Sequence, residues 1–149
     1  MDTTILRKTG NPQALNSFFR ENGLETADDD NPAGAVTAAW KLNDAGSGQL
    51  IGAVVLVRRN NEYIINDIAV DPLYRNNKYG MKLLKKAIAE VNRLAGKRIY
   101  LVAKVPPFFA TAGFREWADK EALQLFSCID CPQYKKTCHP KVMRLDLKE

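Results

Sequence analysis

Arg75-Asn76-Asn77-Lys78-Tyr79-Gly80 is the stretch of this chain best equipped for chemistry, because it joins an apolar, strand-like run, IINDIAVDP, to an amphipathic run of helical period. A strand that turns straight into a helix aims several unpaired backbone N–H groups, at the positive end of the helix dipole, into one small volume. Such a volume suits a phosphate. Asp71-Pro72 stops the strand, and Asn76, Asn77 and Gly80 tolerate the left-handed backbone a chain needs to curl around an anion. At Lys78 a left-handed backbone costs on the order of 1–2 kcal/mol relative to glycine. A charge-assisted hydrogen bond from its ammonium to a phosphate offsets that cost; the plainer reading is a solvated lysine in an ordinary turn.

Two further sets of residues carry reactive groups. Strand alternation puts Tyr63, Ile65, Asp67 and Ala69 on one face, so Asp67 is expected among apolar neighbours that raise its carboxyl toward neutrality. The alternative for Asp67 is a carboxylate satisfied by backbone N–H groups. All three cysteines and the one histidine fall close together, as Cys128-Ile129-Asp130-Cys131 and Cys138-His139. A Cys-x-x-Cys turn can present two thiolates to one metal, with Cys138 or His139 completing a zinc site. A redox-labile dithiol and plain reduced thiols packing the C-terminal strand are the other readings.

The ordered set resembles the GNAT superfamily of acyl-CoA-dependent N-acetyltransferases. It comprises the strand ending IAVDPLYR, the Arg75-to-Gly80 loop, the Leu83-Leu84 pair and Gly113-Phe114, and it covers roughly residues 50–115. The family's loop reads Arg or Gln, two variable residues, Gly, one variable residue, then Gly or Ala; Arg75 and Gly80 match, and Lys78 stands where the first glycine is usual. The resemblance implies acetyl-CoA as co-substrate, with the pantetheine arm on the main chain of Ile68, Ala69 and Val70. The pyrophosphate would lie on Arg75, Asn76, Asn77, Lys78, Tyr79, Gly80 and Met81. It implies Asp67 as the base that takes the amine proton, directly or through water, with Glu62 in reserve. Many relatives place a tyrosine acid in a segment like Phe-Tyr-x-x-x-Gly-Phe, whereas Phe108-Phe109-Ala110-Thr111-Ala112-Gly113-Phe114 puts Phe109 there. Phenylalanine has no proton to give, so Tyr79, Tyr134 or water inherits the role, or the chain is a non-catalytic acyl-CoA-binding module. The Phe-Phe…Gly-Phe form and the Cys-rich tail are similar to small N-acetylglutamate synthase-like members, which implies an amino acid or other small amine as acceptor.

The elements that must position these groups read as a mixed α/β sheet. Expected are a strand at Ile5–Lys8, a helix from Pro12 that buries Leu15, Phe18 and Phe19, and antiparallel strands at Ala35–Leu42, Leu50–Arg58 and Glu62–Val70. A helix follows from Gly80, with Leu83, Leu84, Ala87, Ile88, Val91 and Leu94 at three- and four-residue spacing and Gly96 as its stop. A strand at Ile99–Val105 then makes a right-handed parallel β-α-β crossover around the acetyl-CoA site. Pro106–Gly113 reads as a short helix and Val142–Leu147 as a last strand.

With 149 residues, 46% of them hydrophobic, the chain fits one acetyltransferase domain over residues 1–149, carrying a Cys-rich segment at 126–140. The net charge of +5 is concentrated: Lys78, Lys82, Lys85, Lys86, Arg93, Lys97 and Arg98 face Glu90 alone. That stretch lacks the interleaved aromatics of nucleic-acid binders, so no nucleic acid is expected as a partner. No apolar run of 18 residues occurs and MDTTILRKTG passes directly into polar residues, which favours a cytoplasmic protein without membrane contact, monomer or homodimer. Metal analysis of chelator-free protein separates the readings of the tail. Zinc binding gives about one equivalent and a C-terminal segment that loosens first on chelation; packing gives three freely titrating thiols.

Overall fold

The computed structural model describes residues 4–10, 12–21, 35–59, 61–103, 106–117 and 141–147. In chain order these form β1 (Thr4–Lys8), a 3-10 turn (Pro12–Leu15) leading into α1 (Asn16–Glu21), β2 (Ala35–Asp44), β3 (Leu50–Arg59) and β4 (Glu62–Val70). A second 3-10 segment (Pro72–Asn77) precedes α2 (Tyr79–Arg93), followed by β5 (Arg98–Ala103), α3 (Pro106–Ala110), β6 (Arg115–Glu116) and β7 (Lys141–Asp146). The Cys-rich segment, with Cys128, Cys131, Cys138 and His139, lies outside the described residues.

One sheet in the order β1-β2-β3-β4-β5-β7-β6 holds all seven strands. β1 to β4 are antiparallel neighbours, β4 and β5 run parallel, and β7 is antiparallel to both β5 and β6. Short polar connections dictate the hairpins: Asp44 accepts from the Ser47 N–H at 2.7 Å and Gly48 takes a left-handed φ of 76°, while Asn61, at φ 65°, turns β3 into β4. Beyond the expected elements the structure adds the 3-10 segment and the two-residue β6, too short to carry a period of its own. The Trp117 N–H donates to the Val142 carbonyl at 2.8 Å and so extends the β6–β7 contact by one residue.

Each sheet face has its own core. On one side Leu83, Leu84, Ala87 and Val91 of α2 are buried against Trp40, Leu42, Val54, Leu56, Ile65 and Leu101. Their spacing is the helical period that the sequence carries. On the other side Leu15, Phe18 and Phe19 pack with Val55, Val57, Ile64, Tyr100 and Val142.

Two glycines are fixed by packing. The C-terminal stop of α2 is Ala95, at φ 62°, and not Gly96 as the sequence suggests. Gly96 donates to the Val91 carbonyl, and a Cβ on it would overlap Val91 Cγ1 and stand 2.9 Å from the Tyr63 ring. At Gly52, where β3 passes beneath α2, an added Cβ would lie 2.8 Å from Leu83 Cδ1 and 3.0 Å from the Ala69 carbonyl oxygen. Gly52→Ala is therefore expected to lower the unfolding free energy by about 1–3 kcal/mol, read from urea denaturation at unchanged m-value.

Candidate active site

The strands β4 and β5 pair over three residues only, Tyr63 with Ile99, Ile64 with Tyr100 and Ile65 with Leu101. Beyond that point β4 stays on β3 through Ile68, Ala69 and Val70, while β5 stays on β7 through Val102 and Ala103. Two parallel strands that stop pairing midway leave a wedge whose sides are main chain. Ile68 and Ala69, both half-buried, line its β4 side.

Asn66 marks the start of the wedge. The β3 register steps from Val55 opposite Asp67 to Leu56 opposite Ile65, so Asn66 is an extra residue on β4, a β-bulge. The bulge overturns the simple alternation. Tyr63, Ile65, Ile68 and Val70 belong to the α2 side of the sheet, and Ile64 and Ala69 to the α1 side. Asp67, opposite Val55, goes with Ala69 and not with Tyr63 and Ile65. A one-residue bulge inverts the facing of everything beyond it, and period-two reading of Tyr63-to-Ala69 cannot contain it.

Asp67 is 8% exposed, the one charged residue of the buried set among the described residues. Burial pushes its carboxyl up to about 6, opposed by a hydrogen bond from Asn66 Nδ2 to Oδ2 at 3.0 Å. The expected apolar setting is thus present, with the aliphatics of the α1 side of the sheet as its source. Glu62 is at the opposite end of β4, where Arg98 Nε donates to it at 2.8 Å; that ion pair and the length of the strand separate it from the wedge.

The loop after β4 is built from its first two residues. Asp71 accepts from the Leu73 N–H through Oδ1 at 3.0 Å and from the Tyr74 N–H through its carbonyl at 2.8 Å, and Pro72 opens the 3-10 segment. Lys78, at φ 64° and ψ 16°, is the one left-handed residue of the loop, closing the 3-10 segment and opening α2. Asn76, Asn77 and Gly80 are not left-handed, contrary to the reading of the turn. The first i to i−4 bond of α2 runs from the Lys82 N–H to the Lys78 carbonyl at 3.2 Å. The amides of Tyr79, Gly80 and Met81 precede it, in the first turn, where a helix has no partner of its own to offer.

Gly80 serves close approach: a Cβ there would stand 3.1 Å from Phe108 Cζ and 3.7 Å from Val70 Cγ2. Phe108 of α3 thus lies close over the start of α2. Tyr79 and Met81 pack half-buried against the α2-side core, and the Tyr79 ring lies 6.3 Å from that of Tyr74. Phe109 is buried at 7% exposure, edge-on to Phe108 at 5.0 Å and Phe114 at 6.0 Å. Tyr134 lies outside the described residues.

Sequence reading also missed a stacked cation. The Arg144 guanidinium lies 3.7 Å from the Trp117 ring centre and donates from Nε to Asp146 at 2.7 Å, beside Tyr100 on the neighbouring strand. An alternating strand such as Lys141–Asp146 shows the facing of Arg144, but nothing in it announces Trp117 as its partner. No group of three or more His, Cys, Asp or Glu side chains is placed to hold a metal among the described residues. No described helix is long and apolar enough to cross a membrane.

Comparisons with known proteins agree with this fold. The chain superposes on the Neisseria gonorrhoeae N-acetylglutamate synthase complexed with coenzyme A and N-acetyl-glutamate, with a TM-score of 0.73 at 18% identity, covering 100% of this chain and 36% of that one. It matches Rv2747 from Mycobacterium tuberculosis, solved in complex with CoA, with a TM-score of 0.72 at 17% identity over 97% of this chain and 99% of that one. The Escherichia coli ribosomal-protein-S18-alanine N-acetyltransferase gives 0.72 at 14% identity, over 98% and 95%. At these identities the likeness is one of fold. No curated protein sequence matches the chain. The Acetyltransferase (GNAT) family pattern matches residues 6–114, a span that contains the wedge, the bulge and the left-handed turn, and the chain belongs to the GNAT family of acetyltransferases.

Proposed function

We propose that this chain transfers the acetyl group of acetyl-CoA to the primary amine of a small molecule such as an amino acid, by direct attack within a ternary complex. The observation that carries the reading is Asp67: a buried carboxyl, pushed up to about 6, standing where β4 leaves β5. The small-molecule acceptor rests on the likeness to the N-acetylglutamate synthase fold and on the Phe108–Phe114 segment.

In this reading the α2 first-turn amides and the loop Arg75–Met81 hold the pyrophosphate by hydrogen bonding and dipole. The main chain of Ile68–Val70 holds the pantetheine arm along the wedge. Asp67 takes a proton from the acceptor ammonium, directly or through water. The free amine then forms the C–N bond at the thioester carbonyl, and the C–S bond breaks. The second nitrogen proton ends on the coenzyme A thiolate or in solvent, because Phe109 offers none. Acetyl-CoA binding without turnover, the second reading, is favoured by that same buried Phe109; formation of an acetylated amine excludes it.

Asp67→Asn separates catalysis from structure. Wild-type kcat/KM is expected to rise with pH through about 6, as Asp67 loses its proton, and the variant to lose that inflection along with at least about a hundredfold in turnover. Coenzyme A affinity by calorimetry stays nearly unchanged. The stability sign is opposite. A carboxyl raised above its unfolded value stabilises the fold fully below the unfolded value and loses that contribution as pH rises through about 6. The asparagine variant, which never ionises, is therefore expected to be more resistant to denaturant than wild type at about pH 8, with the gap closing below about pH 4. A variant that keeps near wild-type rate across this range would remove Asp67 from the mechanism.

Gly80→Val tests the cofactor loop. Its branched side chain must displace Phe108 at the start of α2, so coenzyme A affinity is expected to fall at least tenfold in a protein that retains the native circular dichroism spectrum.

A further inference from the structure

The end of the sheet opposite the wedge holds a second concavity, and the reaction makes no use of it. A groove of about 230 Å³ lies between the β3–β4 turn and the C-terminal end of α2, lined by Arg58, Glu62, Tyr63, Lys97 and Arg98 together with the α2 terminus. Tyr63 begins the paired stretch of β4, and Lys97 and Arg98 lead into β5, so the groove sits where these two strands are closed on each other. Its volume is below that of a cofactor pocket and is suited to a small molecule.

Charge selects the class of molecule. Three cations, Arg58, Lys97 and Arg98, face one carboxylate, Glu62, which is taken by Arg98 Nε at 2.8 and 3.1 Å. Among the described residues neither Arg58 nor Lys97 has a carboxylate partner. The Arg58 guanidinium lies over the Tyr63 ring at 5.2 Å, which orients it without neutralising it. The surplus is two positive charges. The negative end of the α2 dipole opposes an anion here, but its last turn is well capped: the Leu94, Ala95 and Gly96 amides donate to the Glu90, Asn92 and Val91 carbonyls at 3.0, 3.0 and 2.8 Å. Left-handed Ala95 and Asn61 shape the two rims, and the Gly96 position lets Tyr63 form the floor without a side chain between them.

We propose that this groove is a second binding site, for a small phosphate-bearing dianion, held by the Arg58 fork and the Lys97 ammonium and walled by Tyr63. A guanidinium and an ammonium converging on one concavity match the bidentate and point-charge contacts that phosphate oxygens accept. Both cations are solvent-exposed, so added salt weakens their hold on phosphate.

The test is a backbone-amide NMR titration of the full chain with inorganic phosphate at constant ionic strength. It is run with saturating coenzyme A to occupy the loop at residues 75–81, and repeated without it. Expected are saturable shifts of the Asn61, Glu62, Tyr63 and Ala95–Arg98 amides under both conditions, absent when chloride replaces phosphate. The doubly substituted Arg58→Gln, Lys97→Gln chain should bind phosphate at this site at least tenfold more weakly, with its remaining amide spectrum unchanged. A groove that gives no saturable shift, or an isotherm that the double substitution leaves as it was, overturns the proposal. Because groove and loop amides are read separately, failure of coenzyme A to bind shows at residues 76–81 and leaves the phosphate isotherm at the groove intact.

Discussion

The parting of β4 from β5 after Ile65 and Leu101 is the constraint on which the rest of this structure turns. A sheet gains by continuing to pair, since every buried backbone N–H and C=O needs a partner. Here each strand keeps a full ladder on its outer side, β4 with β3 and β5 with β7, so the parting gives up pairing only along the inner edges. The Asn66 bulge increases local twist where the strands separate. It also carries Asp67 onto the α1 side, away from the packed helix α2. One inserted residue thus stands where the strands part and sets the facing of the buried carboxyl beside them.

The loop that follows shows how strain and charge are combined. Lys78 holds a left-handed backbone that glycine would adopt at little cost, and its exposed side chain stands at the N-terminal end of α2. The left-handed residue is the one that departs from the glycine pattern of the resembling loop, and it brings a cation to that position. At Gly80, where the sequence does match, the reason is different: a side chain would crowd Phe108, whose Cζ would lie 3.1 Å from the added Cβ.

Legibility in the sequence followed the periodicity. Glu62–Val70 was readable to the residue because polar turns bound an uninterrupted strand composition. The buried stripe of α2 was readable because Leu83, Leu84, Ala87 and Val91 repeat at helical spacing. The bulge was not readable, since Asn66 fits an alternating strand as well as an inserted one and only the β3 register reveals it. The same holds for Ala95, which took the left-handed position that Gly96 advertised, because Gly96 was required against Tyr63 and Val91. Contacts between distant positions, such as Arg144 on Trp117, leave no local trace.

The hydrogen bond from Trp117 to Val142 has a consequence for how this chain can change over evolutionary time. It holds Trp117 and Val142 side by side, in continuation of the β6–β7 register, so the points where the chain leaves β6 and enters β7 are neighbours. Between fixed neighbouring ends, a connection costs only about 0.6 kcal/mol more for each doubling of its length. A change in the number of residues between Trp117 and Val142 is therefore expected to leave the β6–β7 register in place. The β7 ladder on β5, which supports one side of the wedge, is thereby set by Val142–Asp146 and their partners on β5.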